Sequence, residues 1–211
     1  MNTYERGIFM DEQFYERLLN IDTTGEKLWD KSITHYHPYQ ATSYIALDIL
    51  FKQYLMEKTD NVVDFGCGKG RLIFYLNSFF KCSITGIEMD ENYYKQCLIN
   101  KENYLEKHKR LCSQIDFKCI LGENYLIKNS ENKFYFFNPF SVNIFRKIVN
   151  NILDSYDENP RIIDLILYYP SEDYIYFLEN NTAFLLYEEV QLPGLYEKDS
   201  CERFLIYRLY A

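Results

Sequence analysis

The sequence predicts an α/β protein: a seven-stranded, mostly parallel, doubly wound sheet with an antiparallel C-terminal hairpin and a helical N-terminal lead. Three observations predict it. From about residue 62 onward, short apolar runs alternate with longer amphipathic stretches, which is the rhythm of βαβ units. The last two strand-like runs follow one another with no helical pattern between them, so they must pair antiparallel or nearly so. About 60 residues precede the first apolar run, and they carry helical spacing.

Taken in order, Tyr44, Leu47, Phe51, Tyr54 and Leu55 fall on one face of a helix leading into the sheet, with Thr42 or Ser43 as its cap. Val62–Phe65 is a short buried strand. Lys69–Phe80 follows with Leu72, Ile73, Leu76, Phe79 and Phe80 at helical spacing. Ser83–Glu88 is a second strand. Met89-Asp90-Glu91 opens a long helix with Tyr94, Cys97, Leu98, Tyr104 and Leu105 on one face, and the two acids suit its positive end. Asp116–Leu121 is a third strand, and Phe134–Phe137 a fourth, cut off by Asn138-Pro139. Ser141 is placed to cap a helix whose stripe is Ile144, Phe145, Ile148, Val149 and Ile152. Ile162–Tyr168 is the most hydrophobic strand, halted by Pro170, and one or two helical turns follow over Glu172–Leu178. Phe184–Val190 and Arg203–Tyr210 form the terminal pair, joined through Leu192-Pro193-Gly194. On this reading residues 1–60 are a helical extension or lid of the same domain, and 61–211 are its core.

The composition is that of a globular chain: 47% hydrophobic and 26% charged over 211 residues. The formal net charge of −8 and the lack of a dense Lys/Arg cluster disfavour a nucleic-acid partner, because neutralising the phosphate backbone dominates such binding. No basic segment followed by an apolar run marks a signal peptide, and no stretch approaches the length of a membrane span. The expected location is the cytoplasm. The six cysteines form no CxxC pair and no histidine stands at zinc-ligand spacing, so they are expected to be free thiols, and no metal is expected.

The segment Asp64-Phe65-Gly66-Cys67-Gly68-Lys69-Gly70 lies between an apolar strand and an amphipathic helix. Glycines there remove Cβ atoms where the backbone turns sharply and approaches a ligand, and a helix start presents free N–H groups. A second strand ends in Glu88, 22 residues after Gly66, placed to accept hydrogen bonds from both ribose hydroxyls of a nucleoside. The dinucleotide pattern G-x-G-x-x-G is missed, because Arg71 stands where its third glycine belongs. A phosphate-cradling P-loop is missed as well, since Gly70-Arg71-Leu72 lacks its Lys-Ser/Thr pair.

Residues 62–140 resemble the core of the class I, Rossmann-like, S-adenosylmethionine-dependent methyltransferases. Val62-Val63-Asp64-Phe65-Gly66-Cys67-Gly68-Lys69-Gly70 is similar to that family's first motif, hh-D-x-G-x-G-x-G. The final pair of strands also resembles the family's reversed hairpin. The resemblance implies S-adenosyl-L-methionine as cofactor. It implies that Gly66, Gly68 and Gly70 let the backbone pass the methionine moiety, that Asp64 orients the loop or binds the cofactor's amino group, and that Glu88 holds the ribose. Cys67 within the loop and Met89 beside Glu88 join that cofactor-binding set. Glu123 is implied near the adenine, with Asn124 as a rival. Asn138-Pro139-Phe140 resembles the Asn/Asp-Pro-Pro-Tyr/Phe motif of enzymes that methylate amide or exocyclic amino nitrogens, but lacks the second proline. Asn138 would then also touch the cofactor, while Asn138, Pro139 and Phe140 receive the acceptor. A strand-ending turn with Phe140 in the core is an equal alternative.

Before the first strand, His35-Tyr36-His37-Pro38-Tyr39 and Gln40–Tyr44 gather two histidines and three tyrosines. In enzymes of the resembled family such a stretch folds over the cofactor, so Tyr39 is a candidate for the acceptor pocket. His35 or His37 is a candidate base, and an ordinary loop serves as well for each. The function expected is methyl transfer to a small-molecule or protein acceptor, with nitrogen as one candidate target. The alternatives are a binding protein that has lost catalysis, or a nucleotide-dependent oxidoreductase.

Overall fold

A computed structural model of the chain describes residues 11–25, 40–108 and 114–211. Its elements run α1 (Glu12–Leu19), α2 (Tyr44–Gln53), β1 (Asn61–Phe65), α3 (Arg71–Phe80), β2 (Ser83–Glu88), α4 (Glu91–Lys107), β3 (Ile115–Cys119), a 3-10 turn (Gly122–Asn124), β4 (Lys133–Phe136), α5 (Val142–Glu158), β5 (Ile163–Tyr168), α6 (Glu172–Asn181), β6 (Leu185–Gln191) and β7 (Arg203–Leu209). The seven strands form one sheet in the order β3-β2-β1-β4-β5-β7-β6. The first five pair in parallel, and β7 inserts antiparallel between β5 and β6.

Alternation along the strands divides the core into two layers, because successive side chains leave a strand on opposite faces. Val62, Ile84, Phe117, Tyr135, Ile166 and Ile206 meet α1 to α4 on one face. Val63, Ile87, Phe134, Phe136, Leu165 and Tyr207 meet α5 and α6 on the other. The α5 stripe is buried throughout, with Phe145, Ile148, Val149 and Ile152 fully covered. Each such side chain stabilises the fold by roughly 1.5–3 kcal/mol.

Local chemistry sets the helix ends. Asp11, Ser43, Asp90 and Ser171 each cap a helix by accepting from a backbone N–H with the side chain. Ser141 occupies the N-cap of α5, but its hydroxyl makes no capping bond. Two predicted helix faces are corrected. Leu55 lies beyond the end of α2 and is 74% exposed, and α2 instead buries Tyr44, Ala46, Leu47 and Leu50. Leu98 faces outward, because α4 turns Tyr93, Cys97, Asn100 and Tyr104 inward. The third βα unit holds only the 3-10 turn before β4, not an α-helix.

At the start edge of β4 and β5, Asp164 is fully buried and binds Arg208 through both carboxylate oxygens, at 2.7 and 2.8 Å. It also accepts from Lys133 at 2.8 Å and from the Tyr54 hydroxyl. This network ties α2 and β7 to the sheet at the edge away from the glycine loop.

Candidate active site

The sheet order changes direction between β1 and β4, and the crevice above the C-terminal ends of such strands is where α/β sheets bind ligands. Phe65 pairs with Phe136, so the glycine loop after β1 and the turn after β4 rise side by side. Gly66, Gly68 and Gly70 all have positive φ, of +79°, +56° and +87°. At Gly66 a Cβ would lie 2.8 Å from the Pro139 Cβ, so the two turns touch only because that position carries no side chain. Loop and turn are therefore mutually dependent.

Asp64, the penultimate residue of β1, lies on the floor of a small cleft. Gln40, Ala41, Thr42, Gly66, Cys67, Arg71, Leu72, Tyr135 and Phe137 complete its lining. The cleft encloses about 30 Å³, the room of one water molecule. Asp64 is 4% exposed, and its carboxyl takes no hydrogen bond among the described residues. Burial, and then the charge of Glu88, push it up to about 8. Among the described residues no cation pairs with it.

Glu88 ends β2 and reaches back to the loop. One carboxylate oxygen accepts from the Gly68 N–H at 2.9 Å, the other from the Asp90 N–H at 2.9 Å. Burial raises it to about 7, although those backbone donors pull the other way. Each oxygen keeps a further lone pair for a ligand. Met89 is half-buried beside it. Cys67 is buried in the cleft wall, its thiol pushed well above the usual range by burial and by Cys97.

The structure thus gathers Asp64, Gly66 and Cys67 in one cleft, with Glu88 clasping the next glycine. It places Pro139 against Gly66, with Asn138 preceding it in the turn after β4. Asn138 has a φ of +40°, rare for a residue with a side chain, and its Oδ1 is buried with no hydrogen-bond partner. Phe140 is 4% exposed and packs in the core, and its carbonyl accepts from the Tyr174 hydroxyl at 2.6 Å. Glu123 stands apart from the cleft. It lines a groove with Asn151, Asp154 and Glu158 of α5, and its carbonyl accepts from Asn151 at 2.9 Å. Asn124, its rival, lines the same groove. Tyr39, His35 and His37 lie outside the described residues, as does Cys112.

Two polar cleft residues escape sequence reasoning as part of the site. Tyr135 is buried and shares a 2.8 Å hydrogen bond with the Thr42 hydroxyl, while Ser43 is the one that caps α2. Arg71 is 7% exposed and donates to the Thr42 carbonyl at 3.2 Å. Its place directly after the last glycine was the available signal. No group of three or more His, Cys, Asp or Glu among the described residues is arranged to hold a metal ion. No helix among them is long and apolar enough to cross a membrane.

No protein-family model and no curated protein matches the chain. Solved structures do. An RNA methyltransferase from Salinibacter ruber, in complex with S-adenosyl-L-homocysteine, aligns over 81% of this chain and 92% of its own, with 15% identity and a TM-score of 0.53. The putative methyltransferase YhhF from Escherichia coli aligns over 82% and 90%, with 16% identity and a TM-score of 0.57. YjhP from Escherichia coli aligns over 81% and 93%, with 11% identity and a TM-score of 0.58. The chain shares their α/β fold.

Proposed function

We propose that the chain is an S-adenosylmethionine-dependent methyltransferase acting in the cytoplasm on a small-molecule or protein acceptor, at nitrogen. The observation that carries this reading is Asp64, a buried carboxyl with no hydrogen-bond or ion-pair partner among the described residues, lining a cleft beside a glycine-rich loop. A cofactor with an ammonium at one end and a nucleoside at the other fits that arrangement. Asp64 would take the ammonium, Gly66 to Gly70 would let the methionine part pass, and Glu88 would receive the ribose hydroxyls. The Salinibacter neighbour's complex with S-adenosyl-L-homocysteine supports the same assignment. Met89 is offered as a flank of the nucleoside. Glu123 or Asn124 is offered at its far end, where the groove with α5 would have to be shared.

The cofactor supplies a methyl group already activated by its sulfonium. The protein has to align the acceptor with it and exclude water. Asn138 would accept from an acceptor N–H through its Oδ1, which has no partner among the described residues. Pro139 would shape the mouth, and the buried Phe140 would support the turn from beneath. Tyr39 is offered as a wall of the acceptor pocket. The stretch Gln40–Thr42 is the proposed lid. The cleft is narrow, so this stretch must draw back from Tyr135 and Arg71 to admit the cofactor and then close over it. The net charge of −8 supports an acceptor other than nucleic acid, although RNA methyltransferases are among the solved structures the chain resembles.

The test is incubation of the protein with methyl-labelled S-adenosylmethionine and separate pools of amines, hydroxyl compounds, peptides and RNA. The reading expects label on an amine or peptide nitrogen, with transfer falling in Asn138→Ala by far more than cofactor affinity. Label on RNA or on oxygen would overturn the acceptor assignment.

A further inference from the structure

The glycine loop is held from outside the strand ends by side chains that belong to no cofactor motif. Asn100 of α4 is 3% exposed. Its amide donates to the Lys69 carbonyl, in the middle of the loop, at 3.1 Å. The same side chain donates to the Asp22 carbonyl at 3.0 Å and accepts from the Asp22 N–H at 2.9 Å. One residue thus joins the loop to the segment after α1. Lys69 adds a bond from its ammonium to the Thr24 carbonyl.

Arg71 makes the second tie, at the other end of the loop. Its guanidinium pairs with Glu12 at 2.5 Å and Glu16 at 3.4 Å, donates to the Thr23 hydroxyl at 2.7 Å, and lies 4.5 Å above the Tyr44 ring. Glu16 also accepts from the Thr23 N–H at 2.7 Å and the Tyr44 hydroxyl at 2.8 Å. A buried ion pair adds little net stability over an apolar replacement, yet its hydrogen-bond geometry fixes the parts it joins.

We propose that Asn100 and Arg71 are positioning residues through which residues 12–25 brace the cofactor loop, so that cofactor affinity depends on a segment that does not touch the cofactor. The inference rests on the cofactor reading above. Three glycines give the loop more conformational freedom than any other residues would, and a loop that must be ordered during binding binds more weakly than one ordered beforehand. The brace supplies that order in advance.

The experiment compares the full chain with Asn100→Ser, Arg71→Met, Arg71→Lys and Tyr54→Phe. Calorimetric titration with S-adenosyl-L-homocysteine is paired with amide hydrogen exchange of the ligand-free proteins. Tyr54 serves as the control, because it lies outside residues 12–25 and its hydroxyl bonds Asp164 at the sheet edge away from the loop. Asn100→Ser and Arg71→Met are each expected to weaken binding about tenfold and to speed exchange at Gly68–Gly70. Arg71→Lys should recover part of the loss, and it stands in if the methionine variant does not fold. Tyr54→Phe should lower the melting temperature and leave both affinity and loop exchange unchanged. Unaltered affinity and loop exchange in the Asn100 and Arg71 variants would overturn the brace, and so would losses in Tyr54→Phe as large as theirs. If the unaltered chain binds no cofactor, the cofactor reading fails. Loop exchange alone then decides the brace.

Discussion

The Gly68 N–H donates to the Glu88 carboxylate at 2.9 Å, so the end of β2 clasps the loop that leaves β1. The same carboxylate also accepts from the Asp90 N–H, at the entrance to α4. One side chain therefore sets loop shape and helix entry, and still has lone pairs for a sugar.

Glu88→Ala removes both bonds and the proposed ribose contact. Hydrogen bonds to charged acceptors contribute about 1.5–3 kcal/mol each, here partly offset because burial already raises the carboxyl. Nucleoside affinity should fall more than about tenfold, and the melting temperature by about 5 °C. Calorimetry and thermal melts check both.

Asp64 and Glu88 predict a pH dependence of definite sign. Both are raised in the folded state, to about 8 and about 7, above their values of 3.8 and 4.5 in the absence of the fold. Between these limits the folded chain holds protons that the unfolded chain has lost. Stability of the ligand-free protein should therefore fall as pH rises from about 4 to about 8. Asp64→Asn should flatten that slope in melts across the range. An ammonium ligand would ionise Asp64 on binding. The binding enthalpy at pH 7 should then differ between phosphate and Tris in the unaltered chain, and differ less in Asp64→Asn.

Gly66→Ala forces a left-handed φ on a residue with a side chain and drives its Cβ toward Pro139, 2.8 Å away. Strain of about 1–2 kcal/mol and overpacking of about 1–3 kcal/mol add together. Denaturant unfolding should show a loss of roughly 2–5 kcal/mol, with cofactor binding lost below the unfolding range.

Asp164→Ala should be among the most damaging changes, because it strands Lys133 and Arg208 at a buried site. A loss of about 3–5 kcal/mol is expected. Burial acts to raise this carboxyl, but Arg208, Lys133 and Tyr54 together hold it below its usual range. Its stabilising contribution is present above the ordinary carboxylate range and is lost as pH falls through its depressed value. The variant and the unaltered chain should thus differ less at pH 3 than at pH 7 in urea unfolding. An unchanged difference would contradict this.

What was legible in the sequence follows a physical division. The α5 stripe and the seven strands are written as local periodicity, and the structure carries them within a few residues of where the pattern puts them. The hairpin followed from a missing helix, again a local fact. Leu55 was misplaced because α2 ends before it, and Leu98 because a polar contact orients α4: Asn100 points inward to reach Lys69 and Asp22. The Arg71–Glu16 pair joins residues far apart in the chain, and no local pattern announces such a contact. In the site, the Asp64 motif and Glu88 stood out as a strand-loop-helix pattern. Glu123 did not gather with them, because Gly122 packs against Ile148 of α5 and its neighbour follows toward that helix.

The most direct measurement is a calorimetric titration of the full chain and of Gly68→Asp with S-adenosylmethionine. A single site of micromolar affinity, roughly −8 kcal/mol, is expected in the unaltered chain. In the variant, whose added carboxylate would face Glu88, the heat of binding should vanish while cooperative melting persists. Identical isotherms for the two proteins, or no binding to a folded unaltered chain, would contradict the account.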